Sequence, residues 1–248
     1  VIESPQNPRV KALLRAIEEK QLFSLEGEKF IADAAQSGFA FEEIFHDSEV
    51  KPGRLAALSH HRPMLAARAV LERFCEAKSP QHVVAIARRR ETPPADILRK
   101  TGPAVYLEGV QDPGNLGAVA RVVESVGGAG LLASEGCADF FHPRALRGSA
   151  GSLLRLPVAG SVDFAMAAEA AHKLGREICG AVGKGGEPLL RVGLSPQSLF
   201  VFGSEGGGLS ESILGKLDRR ISIPMKAPVE SLNVAVAAGI VLYRAVES

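Results

Sequence analysis

Cysteine is scarce in this chain, long apolar runs are missing, and neither sign of charge prevails. The three cysteines, Cys75, Cys137 and Cys179, lie far apart in 248 residues. That spacing supports neither a disulfide framework nor a zinc site, and it points to a reducing, cytoplasmic setting. No apolar stretch reaches the roughly 18 residues that a membrane helix needs, so no span is expected. The opening VIESPQNPRVK lacks the apolar centre of a signal peptide. The 29 basic side chains nearly match the 28 acidic ones. This balance disfavours sequence-blind coating of long nucleic acid by charge, while leaving room for a local basic patch. An apolar fraction of 46% over this length suffices for one large domain or two ordinary ones.

What is present is an alternation of short elements. PRVKALLRAIEEK has helical spacing at Val10, Leu13, Leu14 and Ile17. LFSLEG, FEEIFHD and HVVAIARR read as strands, and EKFIADAAQSG as a helix closed by Gly38. Together they describe a small α/β layer domain. ARRRETPPADILRKTGP, with charge followed by Pro and Gly, reads as a linker, giving expected domains of residues 1–100 and 101–248. Behind it AVYLEGV, GLLAS, REICGAV, SLFVFGSE and RRISIPM read as strands. GAVARVVESVG, AMAAEAAHKLG and ESILGKL read as helices between them. Such alternation predicts a mainly parallel sheet covered on both faces, with the ligand site at the C-terminal strand ends.

Three loops at those ends carry more than scaffolding. In EGVQDPGNLGAVAR small residues turn from a strand into a helix, which lets backbone approach a ligand. Asn115 there also suits a helix cap. Val119, Val122, Val123 and Val126 form the expected buried stripe. Arg121 lies off it, where local spacing alone favours an ordinary surface arginine. FVFGSEGGGLSE places Gly206, Gly207 and Gly208 after an apolar strand, with Glu205 as the one ionisable group at the strand end. It lacks the G-x-G-x-x-G spacing and stands too late for a Rossmann phosphate loop, and its carboxylate would repel a pyrophosphate. SIPMKAPVESLNVAVAAGIVLY stiffens a loop with Pro224 and Pro228, then opens a helix at Ser231 or Asn233. From Val234 to Leu242 every residue is apolar or Gly, so this helix is expected to be buried all round, between layers or at a subunit interface.

In combination these stretches resemble the SpoU, or TrmH-like, branch of the knotted SPOUT RNA methyltransferases. DPGNLGAVAR, FVFGSEGGGLS and ISIPMKAPVESLNVAVA match its three motifs in order, and HPRALRGSAGS, with Arg147, Ser149 and Gly151, resembles a segment between the first two. NPRVKALLRA followed by FSLEGEKFIADAAQSG resembles the ribosomal-protein-like domain that rRNA 2′-O-methyltransferases of this group place in front. Here EEKQ stands where a more basic segment is usual. The resemblance implies an α/β fold with a deep trefoil knot, preceded by a small α/β RNA-binding domain. It also implies a homodimer built on the last helix.

The implied reaction moves a methyl group from S-adenosylmethionine to the 2′-oxygen of an RNA ribose, with no metal. Gly203, Ile223 and Leu232 match the positions whose backbone holds the cofactor. Arg121 matches the catalytic arginine, and Asn115, Glu205, Ser231 and Asn233 match the supporting polar residues. A guanidinium stays protonated up to about pH 12, so fixing a phosphate and polarising the ribose oxygen suits Arg121 better than acting as a simple base. An arginine whose proton is drawn off by the RNA phosphate is the alternative. Glu205 is open between pairing an arginine and receiving the proton. Large-subunit rRNA is the preferred substrate and tRNA the second. A non-catalytic RNA-binding relative is the rival from another class, disfavoured because the polar set is intact.

Overall fold

A computed structural model of the chain describes residues 1–50, 58, 61–76, 81–204 and 206–247. They fall into two compact units, Val1–Arg90 and Glu91–Ser248.

The first unit holds α1 (Pro8–Glu18), β1 (Leu22–Glu26), α2 (Glu28–Gln36), β2 (Phe41–His46), β3 (Met64–Leu65), α3 (Arg68–Leu71) and β4 (Val83–Arg88). Asn7 caps α1 by accepting the Arg9 N–H, and Pro8 occupies the first helical position, where its missing N–H is harmless. Gly38, at φ +76°, follows the end of α2 in the left-handed conformation that such ends favour. The sheet order is β1-β4-β2-β3, with β4 antiparallel to both neighbours and β2 parallel to β3. Val10, Leu22, Phe45, Val70, Val84 and Ile86 belong to its core.

The second unit begins with a correction. PPADIL, read as linker, contains α4 (Pro94–Leu98), whose Ile97 and Leu98 are buried in the core of the unit. The two prolines that suggested a loop set the start of a helix instead. Then follow β5 (Ala104–Glu108), α5 (Pro113–Ser125), β6 (Gly130–Ala133), α6 (Pro143–Gly148), α7 (Ser152–Arg155), β7 (Val158–Ala159), α8 (Phe164–Lys173) and β8 (Ile178–Ala181). The unit ends with β9 (Glu187–Pro188), β10 (Leu199–Gly203), α9 (Glu211–Leu214), β11 (Arg219–Ser222) and α10 (Val234–Val246).

These strands form one seven-stranded parallel sheet of order β7-β6-β5-β10-β8-β11-β9. The chain runs outward from β5 through β6 to β7, and later inserts β10 between β5 and β8. Gly203 of β10 lies beside Glu108 of β5, so the loops leaving these strands emerge side by side. An open parallel sheet binds ligands where strand order reverses in this way. One sheet face, with Ala104, Tyr106, Leu132, Leu199 and Val201, packs in a core with residues of α4 and α8. On the other face α5 meets β6, α10 meets β10, and α5 and α10 touch each other.

Within the single chain, helix α10 is buried along one face only. Val234, Ala238, Val241, Leu242 and Ala245 are buried, but Val236 is 51% exposed and Tyr243 48%, with Ile240 and Val246 also exposed. The exposed residues form a second apolar stripe, which the chain by itself leaves in water.

Candidate active site

Three strand-to-helix junctions meet at the C-terminal edge of the large sheet. At the first, Asp112 rather than Asn115 caps α5: its Oδ1 accepts the Asn115 N–H at 2.9 Å. Pro113 takes the first helical position, and Asn115 sits in the first turn, where its side chain is not the cap. At the third junction Asn233 caps α10, its Oδ1 accepting from the Ala235 and Val236 N–H groups at 3.0 and 3.4 Å. The cap fixes which way the Asn233 amide faces. Its Nδ2 then donates to Asn115 Oδ1 at 2.9 Å, joining residues 118 positions apart.

The second junction is the glycine loop after β10. Ser204 and Gly208 bridge, the Gly208 N–H donating to the Ser204 carbonyl at 3.0 Å, and Gly208 has φ +63°. The loop folds so tightly over the strand end that a Cβ at Gly203 would collide with the Gly208 carbonyl. Glu108, at the end of neighbouring β5, anchors its far side by accepting the Ser210 N–H at 2.8 Å. Glu205 lies outside the described residues.

Two hollows open beside these junctions. The first, about 180 Å³, is lined by the end of β8 (Ala181 to Gly183), by Gly203, Ser204 and Gly208, by Ile221, Ile223 and Met225, and by Ser231, Leu232, Val234 and Ala237. All three expected cofactor positions, Gly203, Ile223 and Leu232, border it, and so does Ser231. The second, about 330 Å³, is lined by Gly109, Val110, Gln111, Asp112, Asn115 and Gly206, and shares Ser204 and Val234 with the first.

Chemistry separates the two. No Lys, Arg, Asp or Glu lines the first hollow among the described residues. A nucleotide polyphosphate would find no cation there, whereas an adenine ring and an aliphatic chain find apolar walls, main chain and two serine hydroxyls. These residues fit S-adenosylmethionine. The second hollow is polar, with amides from Gln111 and Asn115 and the Asp112 carboxylate. The Asn115 N–H, and after it Arg144, hold the Asp112 carboxyl below the usual carboxylate range.

Arg121 lines neither hollow. It is exposed on α5, six residues beyond Asn115, which places its Cα about 9 Å further along the helix axis. The HPRALRGSAGS segment packs against α5. Ser149 is fully buried, its Oγ donating to the Leu146 carbonyl and accepting the Leu153 N–H, and so joins α6 to α7. Gly117 lets α6 lie directly on α5, since a Cβ there would strike the Ala145 carbonyl. Arg155 on α7 holds Glu124 on α5 through two bonds of 2.6 and 2.8 Å. Reasoning from sequence missed Glu108, Asp112, Ser204 and Met225. Asp112 was findable, because Asp directly before a Pro at a helix start is a capping signal.

The sequence model of the SpoU rRNA Methylase family matches residues 102–243. The chain belongs to this family. A second model, the MRM3-like substrate binding domain, matches residues 7–85. Among curated relatives, this SpoU-family chain is 33% identical to an uncharacterised tRNA/rRNA methyltransferase of Synechocystis, over 98% of the chain and 92% of the relative. It is 28% identical to the 23S rRNA (guanosine(2553)-2′-O)-methyltransferase RlmP of Bacillus subtilis, over 98% and 97%. Among solved structures, it matches the SpoU methyltransferase AviRb of Streptomyces viridochromogenes in complex with AdoMet. The TM-score is 0.84 at 25% identity, over 98% of both chains. An AdoMet-bound rRNA methyltransferase of Sinorhizobium meliloti matches with a TM-score of 0.83 at 26% identity, over 98% and 96%.

Proposed function

We propose that this chain is an S-adenosylmethionine-dependent RNA 2′-O-ribose methyltransferase acting on rRNA. The observation that carries the reading is the pair of adjoining hollows, one apolar and one polar, sharing Ser204 and Val234, with the Asn233–Asn115 bond beside their junction. The 2′-O and rRNA parts draw on RlmP and on the two family matches, and the cofactor on the AdoMet-bound neighbours.

S-adenosylmethionine supplies an activated methyl group when bound in the first hollow. The protein must then hold a ribose in the second hollow with its 2′-oxygen facing the shared wall, because alignment is worth much of the rate. Asn115, oriented through Asn233, donates toward the ribose. Arg121 offers a planar fork of N–H donors. That fork fixes an RNA phosphate and stabilises negative charge developing on the ribose oxygen, while the hydroxyl proton passes to solvent and S-adenosylhomocysteine is left behind.

The reading extends to the whole chain. The front residues grip RNA, and the residues after about position 100 carry the chemistry. The C-terminal segment threads a deep trefoil knot, and the enzyme works in the cytoplasm. The exposed apolar stripe of α10 supports a homodimer, since Val236, Ile240, Tyr243 and Val246 would leave water against a second copy. Ribose-methylation mapping of total RNA from cells with and without the protein tests the reading. One new 2′-O-methyl site in large-subunit rRNA is the expected result, and an unchanged rRNA map rejects the rRNA assignment.

A further inference from the structure

Arg144 stands at the rim of the polar hollow and has no role in the scheme above. It is the second residue of α6, where its N–H donates to His142 Nδ1 at 3.1 Å. Its side chain is 57% exposed, and its Nη2 donates to Asp112 Oδ2 at 3.2 Å. Asp112 lines the hollow and also caps α5. Packing also places the Arg144 backbone. Gly148 lies against Gly114, where a Cβ would come to 3.0 Å from the carbonyl, and Gly117 admits the Ala145 carbonyl, so α6 is locked onto the first turns of α5.

Two arginines of this unit fill more of their forks, whereas Arg99 and Arg220, like Arg144, each donate through one nitrogen. Arg155 engages both oxygens of Glu124, and Arg176 donates to four main-chain carbonyls. Arg144 is tethered through one prong. A guanidinium offers five N–H donors in a rigid fork, so most of this fork faces solvent beside the hollow. Such a fork matches a phosphate better than any other group common in RNA. Every ribose in a strand also carries a phosphate on either side, so a ribose placed in the hollow must bring a phosphate to its rim.

We infer that Arg144, held in place by Asp112, binds a backbone phosphate next to the nucleotide being methylated. This rests on the RNA-methyltransferase reading. It adds a phosphate contact separate from Arg121, which stands nine residues beyond Asp112 on α5.

The test uses the full chain and an unmodified 23S rRNA transcript. Binding is measured from low to moderate salt, and methyl transfer is followed at varied RNA concentration. For Arg144→Ala, RNA affinity at low salt falls about tenfold, the usual scale for a charge-assisted contact. The slope of log affinity against log salt loses about 0.7 to 0.9, as expected for one phosphate. KM for RNA rises by a similar factor while kcat changes less than about threefold. Arg144→Lys keeps the slope, because it keeps the charge. Lys173→Ala, which removes the same charge from α8, leaves slope and KM unchanged. Thermal melting and cofactor binding of each variant check that it is folded. An Arg144→Ala slope equal to wild type, or a loss confined to kcat, overturns the inference. A wild-type chain that neither binds nor methylates the transcript overturns the rRNA reading itself, and this contact with it.

Discussion

At the N-terminal ends of β5, β8 and β10, Arg176 is only 4% exposed. Its guanidinium donates to the carbonyls of Leu98, Gly102 and Gln197 at 2.6, 3.0 and 2.6 Å, and also to that of Lys100. One side chain thus ties together the segments that feed three strands. The helices that start at the opposite edge of the same sheet carry Arg121 and Arg144 exposed, on α5 and α6, and Arg144 bonds Asp112 at the polar hollow. At one edge buried charge satisfies main-chain carbonyls that have lost water. At the other, charge stays in contact with water. The sheet therefore has one edge closed by buried charge and one edge open to solvent.

Substitutions at the two edges should affect different measurements, and the largest effect lies at the closed edge. Arg176→Met leaves buried carbonyls without donors and should lower unfolding free energy by about 3 to 4 kcal/mol. Urea titration checks this, and a loss below about 1 kcal/mol would show that the carbonyls find other partners. At the open edge, Arg121→Ala should slow single-turnover methyl transfer at least about a hundredfold, near 2.7 kcal/mol of barrier. Stability and cofactor affinity should stay within about 0.5 kcal/mol of wild type. Near-normal transfer by this variant would reduce Arg121 to a surface arginine.

Gly203→Ala tests the glycine loop. The new methyl group meets the Gly208 carbonyl, so the loop must shift at a cost of about 2 kcal/mol, weakening S-adenosylmethionine binding about thirtyfold by calorimetry. Wild-type affinity would mean that the loop does not shape the cofactor hollow. The smallest effect separates two duties of one residue. Asn233→Ala loses the α10 cap and about 1 kcal/mol, whereas Asn233→Ser keeps the cap. Both lose the bond to Asn115, so both should transfer methyl about tenfold more slowly, a loss on the scale of one hydrogen bond. Full activity in the Ser variant would confine Asn233 to capping.

The strands of the large sheet were legible because each is a short apolar run bounded by turn residues, as in AVYLE and LFVFG. The edge strands Val158–Ala159 and Glu187–Pro188 were not, since two residues make no periodic pattern. Helices α6 and α7 were missed for a related reason. They are short and joined through Ala150 and Gly151, both at positive φ, and the signal there lies in their fit against α5. The sequence of α10 left one point open. An unbroken apolar sequence tells that a helix shuns water on every side, but not whether its own chain supplies every covering surface.

The site divides in the same way. Gly203, Ile223, Ser231 and Leu232 were named from sequence and border one hollow, and Asn115 and Asn233 were named from distant motifs and touch. The pattern of residues determined by itself the strand–helix alternation, the small residues at the strand ends and the polar start of α10, because these depend on propensities acting over a few neighbours. Only the tertiary structure decided that β10 enters between β5 and β8, that Asp112 rather than Asn115 caps α5, and that Arg144 reaches that cap from another helix. Strand order and side-chain pairing across a fold depend on which buried surfaces fit together, and no local window of sequence contains both partners.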